Sequence, residues 1–282
     1  MLNRITLALV GATLLAGCPA AEDNWLLDQT LEHDGLTRYF RTYLPDGLPA
    51  QAPLVFLLHG GTQSMDRIFN RNAGGTKAWA DLAASENFLL IAPNGTNRET
   101  GLGNGDDQTW NDCRADAPNI ASRADDVGFL LALIDYAEAT YGIDRERVYV
   151  TGSSNGGKMS YRMATEAPGA IAAAAAFIAN AAEDGVCAAP ETPVPMLMCV
   201  GTEDELQPFD GEDDPHFGTG SSLSAPATRD LWIAANNCDP DPVSVEQLPD
   251  RTPNDGSTIR VERYRGGADS APLDYYVMAG GG

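Results

Sequence analysis

A short apolar run, Val148 to Val150, enters Gly152-Ser153-Ser154-Asn155-Gly156 and leaves into Lys158-Met159-Ser160-Tyr161-Arg162-Met163. Strand, sharp turn and helix in that order form the context in which Gly-x-Ser-x-Gly marks a nucleophile elbow. The turn is tight enough to strain the backbone of its central residue, Ser154. Gly152 and Gly156 flank it because neither adds side-chain bulk. Ser154 Oγ is then expected at the tip of the turn, with the positive end of the following helix aimed at any oxyanion formed there.

The rest of the chain supplies a sheet for that unit. Trp25 to Glu32 and Leu36 to Leu44 flank His33-Asp34-Gly35, a hairpin signal. Pro53 to Leu58, Phe88 to Ala92, Ile171 to Ile178 and Pro195 to Val200 are continuous apolar runs of strand length. Thr258 to Arg263 and Leu273 to Met278 give the last two strands. Thr76 to Ser85, Ala124 to Tyr141 and Ala227 to Asn236 carry apolar residues at helical spacing, with Asp125 and Asp126 favouring the start of the second. Strands alternating with helices after an opening hairpin predict an α/β fold: a mostly parallel central sheet with helices on both faces. Sites in such sheets lie at the carboxyl ends of the strands. Gly95 to Ser122 is a long polar loop, a length that points to function or disorder.

The first 18 residues have a different purpose. Arg4 precedes an apolar stretch, Ile5 to Leu15, too short for a stable membrane anchor. Leu15-Ala16-Gly17-Cys18 resembles a bacterial lipobox, with Cys18 as the lipidated residue. We therefore expect a signal peptide over 1–18, a linker over 19–24 and a catalytic domain over 25–282. The protein is expected to be secreted or lipid-anchored on a bacterial envelope, touching the membrane only through Cys18. Export makes Cys113, Cys187, Cys199 and Cys238 disulfide candidates with three possible pairings. Cys199 lies in a buried-strand pattern and could instead be a free core thiol. The net charge of −22 and the lack of a basic patch argue against nucleic acid and anionic lipid surfaces as partners. Seven acids crowd Glu203 to Asp214 without the ligand spacing of an EF-hand, so no metal is expected.

Two further loops bear on Ser154. His59-Gly60-Gly61-Thr62 follows the 53–58 strand, where an α/β-hydrolase donates one oxyanion N–H; the residue after the nucleophile donates the other. These assign Gly61 and Asn155. Gly201-Thr202-Glu203-Asp204 follows the 195–200 strand, where a carboxylate would orient a histidine. Asp204 is the chosen acid, with Glu203, Glu205 and Asp210 as competitors. Of the three histidines, His33 sits in the hairpin and His59 precedes Ser154, a position more often structural. His216 follows Asp204 but precedes the last helix and strands, whereas the triad histidine normally follows the final strand.

The motifs Pro53-Leu54-Val55-Phe56-Leu57-Leu58-His59-Gly60-Gly61-Thr62-Gln63, Trp110-Asn111-Asp112-Cys113, Asp125-Asp126-Val127-Gly128-Phe129, Gly152 to Met159, Gly201 to Asp204 and Asn236-Asn237-Cys238 occur in this order. Across about residues 35–282 the chain resembles the exported α/β-hydrolases grouped as polyhydroxybutyrate depolymerases, close to LpqC-type and feruloyl esterases. The resemblance implies Ser154 as nucleophile, Asp204 as acid, and secretion. In that family the Gly-Gly-Gly after the last strand is followed at once by the catalytic histidine. This sequence ends on Gly280-Gly281-Gly282, so the resemblance places the histidine just past Gly282 and implies that the closing helix is missing.

The expected activity is cofactor-free hydrolysis of a carboxylic ester through an acyl-enzyme on Ser154. The expected substrate is a polyhydroxybutyrate-like polyester. Feruloyl or acetyl esters on plant polysaccharide are the alternative, and Trp110 is a candidate wall of the acyl pocket. A serine peptidase on the same fold, and a non-catalytic surface lipoprotein, are the remaining alternatives.

Overall fold

A computed structural model of the chain describes residues 26–68, 74–114, 122–211 and 220–282, with only the backbone over 74–77. The expected signal segment with Cys18, the expected linker and His216 lie outside the described residues. Ten strands form one sheet: β1 (Leu26–His33), β2 (Leu36–Tyr43), β3 (Leu54–Leu58), β4 (Leu89–Pro93), β5 (Val148–Ser153), β6 (Ala173–Phe177), β7 (Met196–Gly201), β8 (Ser244–Gln247), β9 (Thr258–Tyr264) and β10 (Leu273–Ala279). Their order is β1-β2-β4-β3-β5-β6-β7-β10-β9-β8. The six neighbours from β4 to β10 run parallel, and antiparallel strands extend the sheet at both ends.

The helices are α1 (Met65–Ile68), α2 (Gly74–Glu86), α3 (Asp126–Tyr141), α4 (Asn155–Glu166) and α5 (Ala225–Ala235). Strand alternation decides which face each helix covers. Leu54, Phe56 and Leu58 of β3 pack with Val148 and Val150 of β5 and with apolar residues of α3, α4 and α5. Val55 and Leu57 point the other way and join Met65, Ala80 and Ala83 from α1 and α2. Helices thus cover both faces, and the α/β-hydrolase arrangement expected from the sequence is the one observed. Two elements escaped the sequence pattern. The single turn α1 is shorter than any helical period can reveal, and β8 is exposed along its whole length.

Among the described residues the second face is incompletely covered. Tyr149, Ala175, Phe177 and Leu197 are half-buried on it, and with Trp79 and Phe88 they line an apolar depression of about 490 Å³. Among the described residues no helix is long and apolar enough to cross a membrane.

Two devices, one exposed and one buried, fix the approach to the site. Asp125 caps α3 by accepting from the Gly128 N–H at 2.9 Å and also contacts His33 Nε2 at 3.0 Å. Its neighbour Asp126 is fully buried, takes a 2.6 Å bond from Arg38, and accepts from the Asn111 N–H. The Arg38 guanidinium lies 4.0 Å above the Phe129 ring. The two acids therefore do different work: one satisfies an orphan helix N–H, the other holds the long loop.

Candidate active site

β5 ends in a turn whose central residue, Ser154, has φ 54° and ψ −120°. Side chains rarely occupy this region, and a residue held there outside glycine marks a conformation imposed by its surroundings. The surroundings are visible. A Cβ on Gly156 would lie 2.4 Å from the Leu58 carbonyl oxygen, and one on Gly152 would lie 2.6 Å from the Gly156 carbonyl. The start of α4 therefore rests directly on the end of β3, backbone against backbone. The Ser154 N–H donates to the Phe177 carbonyl of β6 at 2.9 Å, tying the turn to the next strand. Ser154 is half-buried and caps α4 without a side-chain hydrogen bond to the helix.

The loop after β3 runs alongside this turn: a Cβ on Gly60 would sit 3.6 Å from the Ser153 carbonyl. Gly61 follows, half-buried in a tight turn with Thr62 at φ 57°. Asn155 opens α4, where the first N–H groups have no partner within the helix. Its side chain is buried and fully used. Oδ1 accepts from the Trp110 N–H at 2.7 Å, and Nδ2 donates to the Trp110 carbonyl at 3.2 Å and to Asp112 Oδ2. Asp112 is itself buried in a forked ion pair with Arg114.

His59 is structural. Its Nε2 accepts from the Gly95 N–H at 3.0 Å, so the ring proton sits on Nδ1 and donates to the Gly60 carbonyl at 2.7 Å. Complete burial, reinforced by the nearby Arg38 charge, drives its pKa down to about 4. Such a neutral ring, with both nitrogens engaged, holds the β3 loop and is not available to take a proton from Ser154. His33 is bound to Asp125 at the start of α3.

Asp204 stands after β7. Its Oδ1 accepts the N–H groups of Leu206 and Gln207, each at 2.8 Å. Of the four acids considered for this role Asp204 alone is half-buried, while Glu203, Glu205 and Asp210 are exposed. The end of β10 folds onto it. The Glu203 N–H donates to the Gly281 carbonyl at 3.0 Å, and a Cβ on Gly282 would lie 2.3 Å from the Asp204 nitrogen. Ser154, the Gly61 loop and Asp204 therefore occupy the carboxyl ends of β5, β3 and β7, the same edge of the sheet.

One expectation is corrected. Trp110 is fully buried, with its ring 4.8 Å from that of His59 and its Nε1 donating to the His59 carbonyl at 2.8 Å. It supports the β3 loop from beneath and forms no pocket wall. The cysteine question also resolves: Cys113 and Cys187 form a disulfide, while Cys199 and Cys238 are free thiols. Among the described residues Cys113, Cys187 and Glu166 form a cluster with metal-ligand chemistry, but the disulfide removes both thiolates.

Comparison with known proteins agrees with this architecture. Residues 73–216, just over half of the chain, match the sequence profile of the dienelactone hydrolase family. The chain belongs to the dienelactone hydrolase family. Within reach of this hydrolase family member are feruloyl esterase C of Emericella nidulans, 28% identical over 82% of this chain and 76% of that protein. A poly(3-hydroxybutyrate) depolymerase of Ralstonia pickettii is 31% identical over 57% of this chain and 32% of that protein. The solved acetyl xylan esterase of Aspergillus awamori superposes with a TM-score of 0.57 over 90% of this chain and 94% of its own at 16% identity, a likeness of fold. The chain spans 64%, 22% and 29% of the lengths of three other curated relatives.

Proposed function

We propose that this family member is an exported serine hydrolase of carboxylic esters. The observation that carries it is the backbone of Ser154, held at positive φ between two glycines that cannot accept a Cβ. That conformation projects Oγ from the turn and leaves the first N–H groups of α4 beside it. Ser154 Oγ attacks the ester carbonyl and passes its proton to a histidine base. The tetrahedral oxyanion sits between the N–H groups of Gly61 and Asn155, with α4 pointing its positive end at it. Collapse expels the alcohol, which takes the proton from the histidine, and water then releases the acyl group. Asp204 orients the histidine. Neither His33, bound to Asp125, nor His59, with both ring nitrogens engaged, can serve as that base.

The substrate we propose is an ester of a polymer. Two chemistries fit: a polyhydroxybutyrate-like polyester, or feruloyl and acetyl esters on polysaccharide. The match to a feruloyl esterase over 82% of this chain and 76% of that protein favours the second, since the depolymerase match covers only 57% and 32%. A disulfide joining two distant loops fits an oxidising, exported location. Cys18 is the proposed lipid anchor, testable by labelling with a palmitate analogue that Cys18→Ala should abolish.

The test is made by substitution in the purified protein. Ser154→Ala should abolish turnover of a short-chain p-nitrophenyl ester, and Asp204→Asn should lower kcat by roughly four orders of magnitude. Side-by-side rates on polyhydroxybutyrate film, feruloylated xylan and acetylated xylan decide the acyl class. Cleavage of a peptide amide without ester turnover would replace the esterase with a peptidase.

A further inference from the structure

The side chain of Asn155 does something the oxyanion role of its N–H does not require. Its amide pairs with both main-chain groups of Trp110 and with Asp112, all buried. Asp112 is locked in turn by Arg114, and the next residue, Cys113, is tied by a disulfide to Cys187. The Val186 N–H donates to the Cys113 carbonyl at 2.8 Å, and Arg114 bridges to Gly185, so the 110–114 segment is bolted to the 185–187 loop. A chain of contacts thus runs from the disulfide through Asp112 to the side chain of Asn155, whose N–H is the proposed oxyanion donor.

We propose that Asp112 is a positioning residue for the oxyanion hole: by accepting from Asn155 Nδ2 while clamped by Arg114, it fixes the orientation of the Asn155 N–H. This rests on the reading of Ser154 as nucleophile. An oxyanion donor acts by being preorganised, so freedom gained by Asn155 is felt where charge develops, in kcat. The ground-state ester makes no equivalent demand, so KM is little affected. Arg114 supplies a fixed cation against Asp112, and the buried fork leaves the carboxylate one geometry.

The experiment compares Asp112→Ala, Asn155→Ala, their double variant, and Asp112→Asn/Arg114→Gln. The last keeps an acceptor for Asn155 Nδ2 while removing both buried charges, so no arginine is left unpaired. Active sites are counted by titration with an alkyl phosphonate ester, and kcat per site and KM are measured on a short-chain p-nitrophenyl ester. Each alanine variant should lose about 30-fold in kcat per site, less than the ~10² to 10³ that follows loss of a donor itself. KM should stay within about threefold, and Asp112→Asn/Arg114→Gln should recover most of the loss. The double alanine variant should be no worse than the poorer single, because both changes break one connection. Losses that multiply in the double variant would overturn the proposal. So would a lower yield or melting temperature with kcat per site unchanged, which is what a purely structural Asp112 would give. A wild-type protein that is not titrated by the phosphonate and turns over no ester would instead remove the Ser154 reading, and the proposal with it.

Discussion

The indole Nε1 of Trp110 donates a 2.8 Å hydrogen bond to the main-chain carbonyl of His59. The bond joins the long loop after β4 to the loop after β3 that carries Gly61, and it is buried at both ends. Removing the donor leaves a buried carbonyl with one partner fewer, a cost of about 1–3 kcal/mol. Trp110→Phe should therefore lower stability by that order in urea unfolding, while KM for a short ester stays within about twofold. A large rise in KM with stability intact would return Trp110 to the pocket wall.

His59 makes stability depend on pH. Its folded pKa of about 4 lies below the ordinary value of 6.5, so the unfolded chain binds a proton more readily between those values. The contribution of the neutral ring is complete above about pH 6.5 and is lost as pH falls toward 4, amounting to about 3 kcal/mol. Many carboxylates titrate in the same range. The informative quantity is the difference between wild type and His59→Gln, whose amide oxygen can still accept from Gly95. The unfolding free energy of the wild type should fall more steeply than that of the variant from pH 6.5 to 4, and the two slopes should match above pH 7.

The Cys113–Cys187 disulfide closes a loop of 74 residues. Its loss should cost roughly 2–4 kcal/mol, chiefly by freeing the unfolded chain. Cys187→Ser should show this as a lower urea midpoint, whereas Cys199→Ser and Cys238→Ser, which break no crosslink, should shift it far less.

Much of this was written in local patterns. The apolar runs of β3 and β4 and the period of α3 identified the core, because the two strands are buried throughout and α3 buries the face its own spacing defines. The elbow was legible for the same reason: its glycines answer a steric demand made within a few residues. Trp110 was misread because a tryptophan in a polar loop carries no sign of what will cover it. Its burial is made by His59, 51 positions away. The side-chain role of Asn155 was invisible on the same grounds, since its partners lie 43 to 45 residues upstream. Cysteine pairing is set by the same kind of distant approach, and β8 is an exposed edge strand with no buried side to create a pattern.

The most direct test of Ser154 as nucleophile is covalent trapping. The purified protein is treated with a fluorophosphonate probe, and the adduct is mapped by peptide mass spectrometry. The expected result is one adduct per chain, on Ser154, lost in Ser154→Ala and retained in Ser153→Ala. An adduct on Ser153, or ester turnover that persists in Ser154→Ala with no adduct on the elbow, would contradict the account.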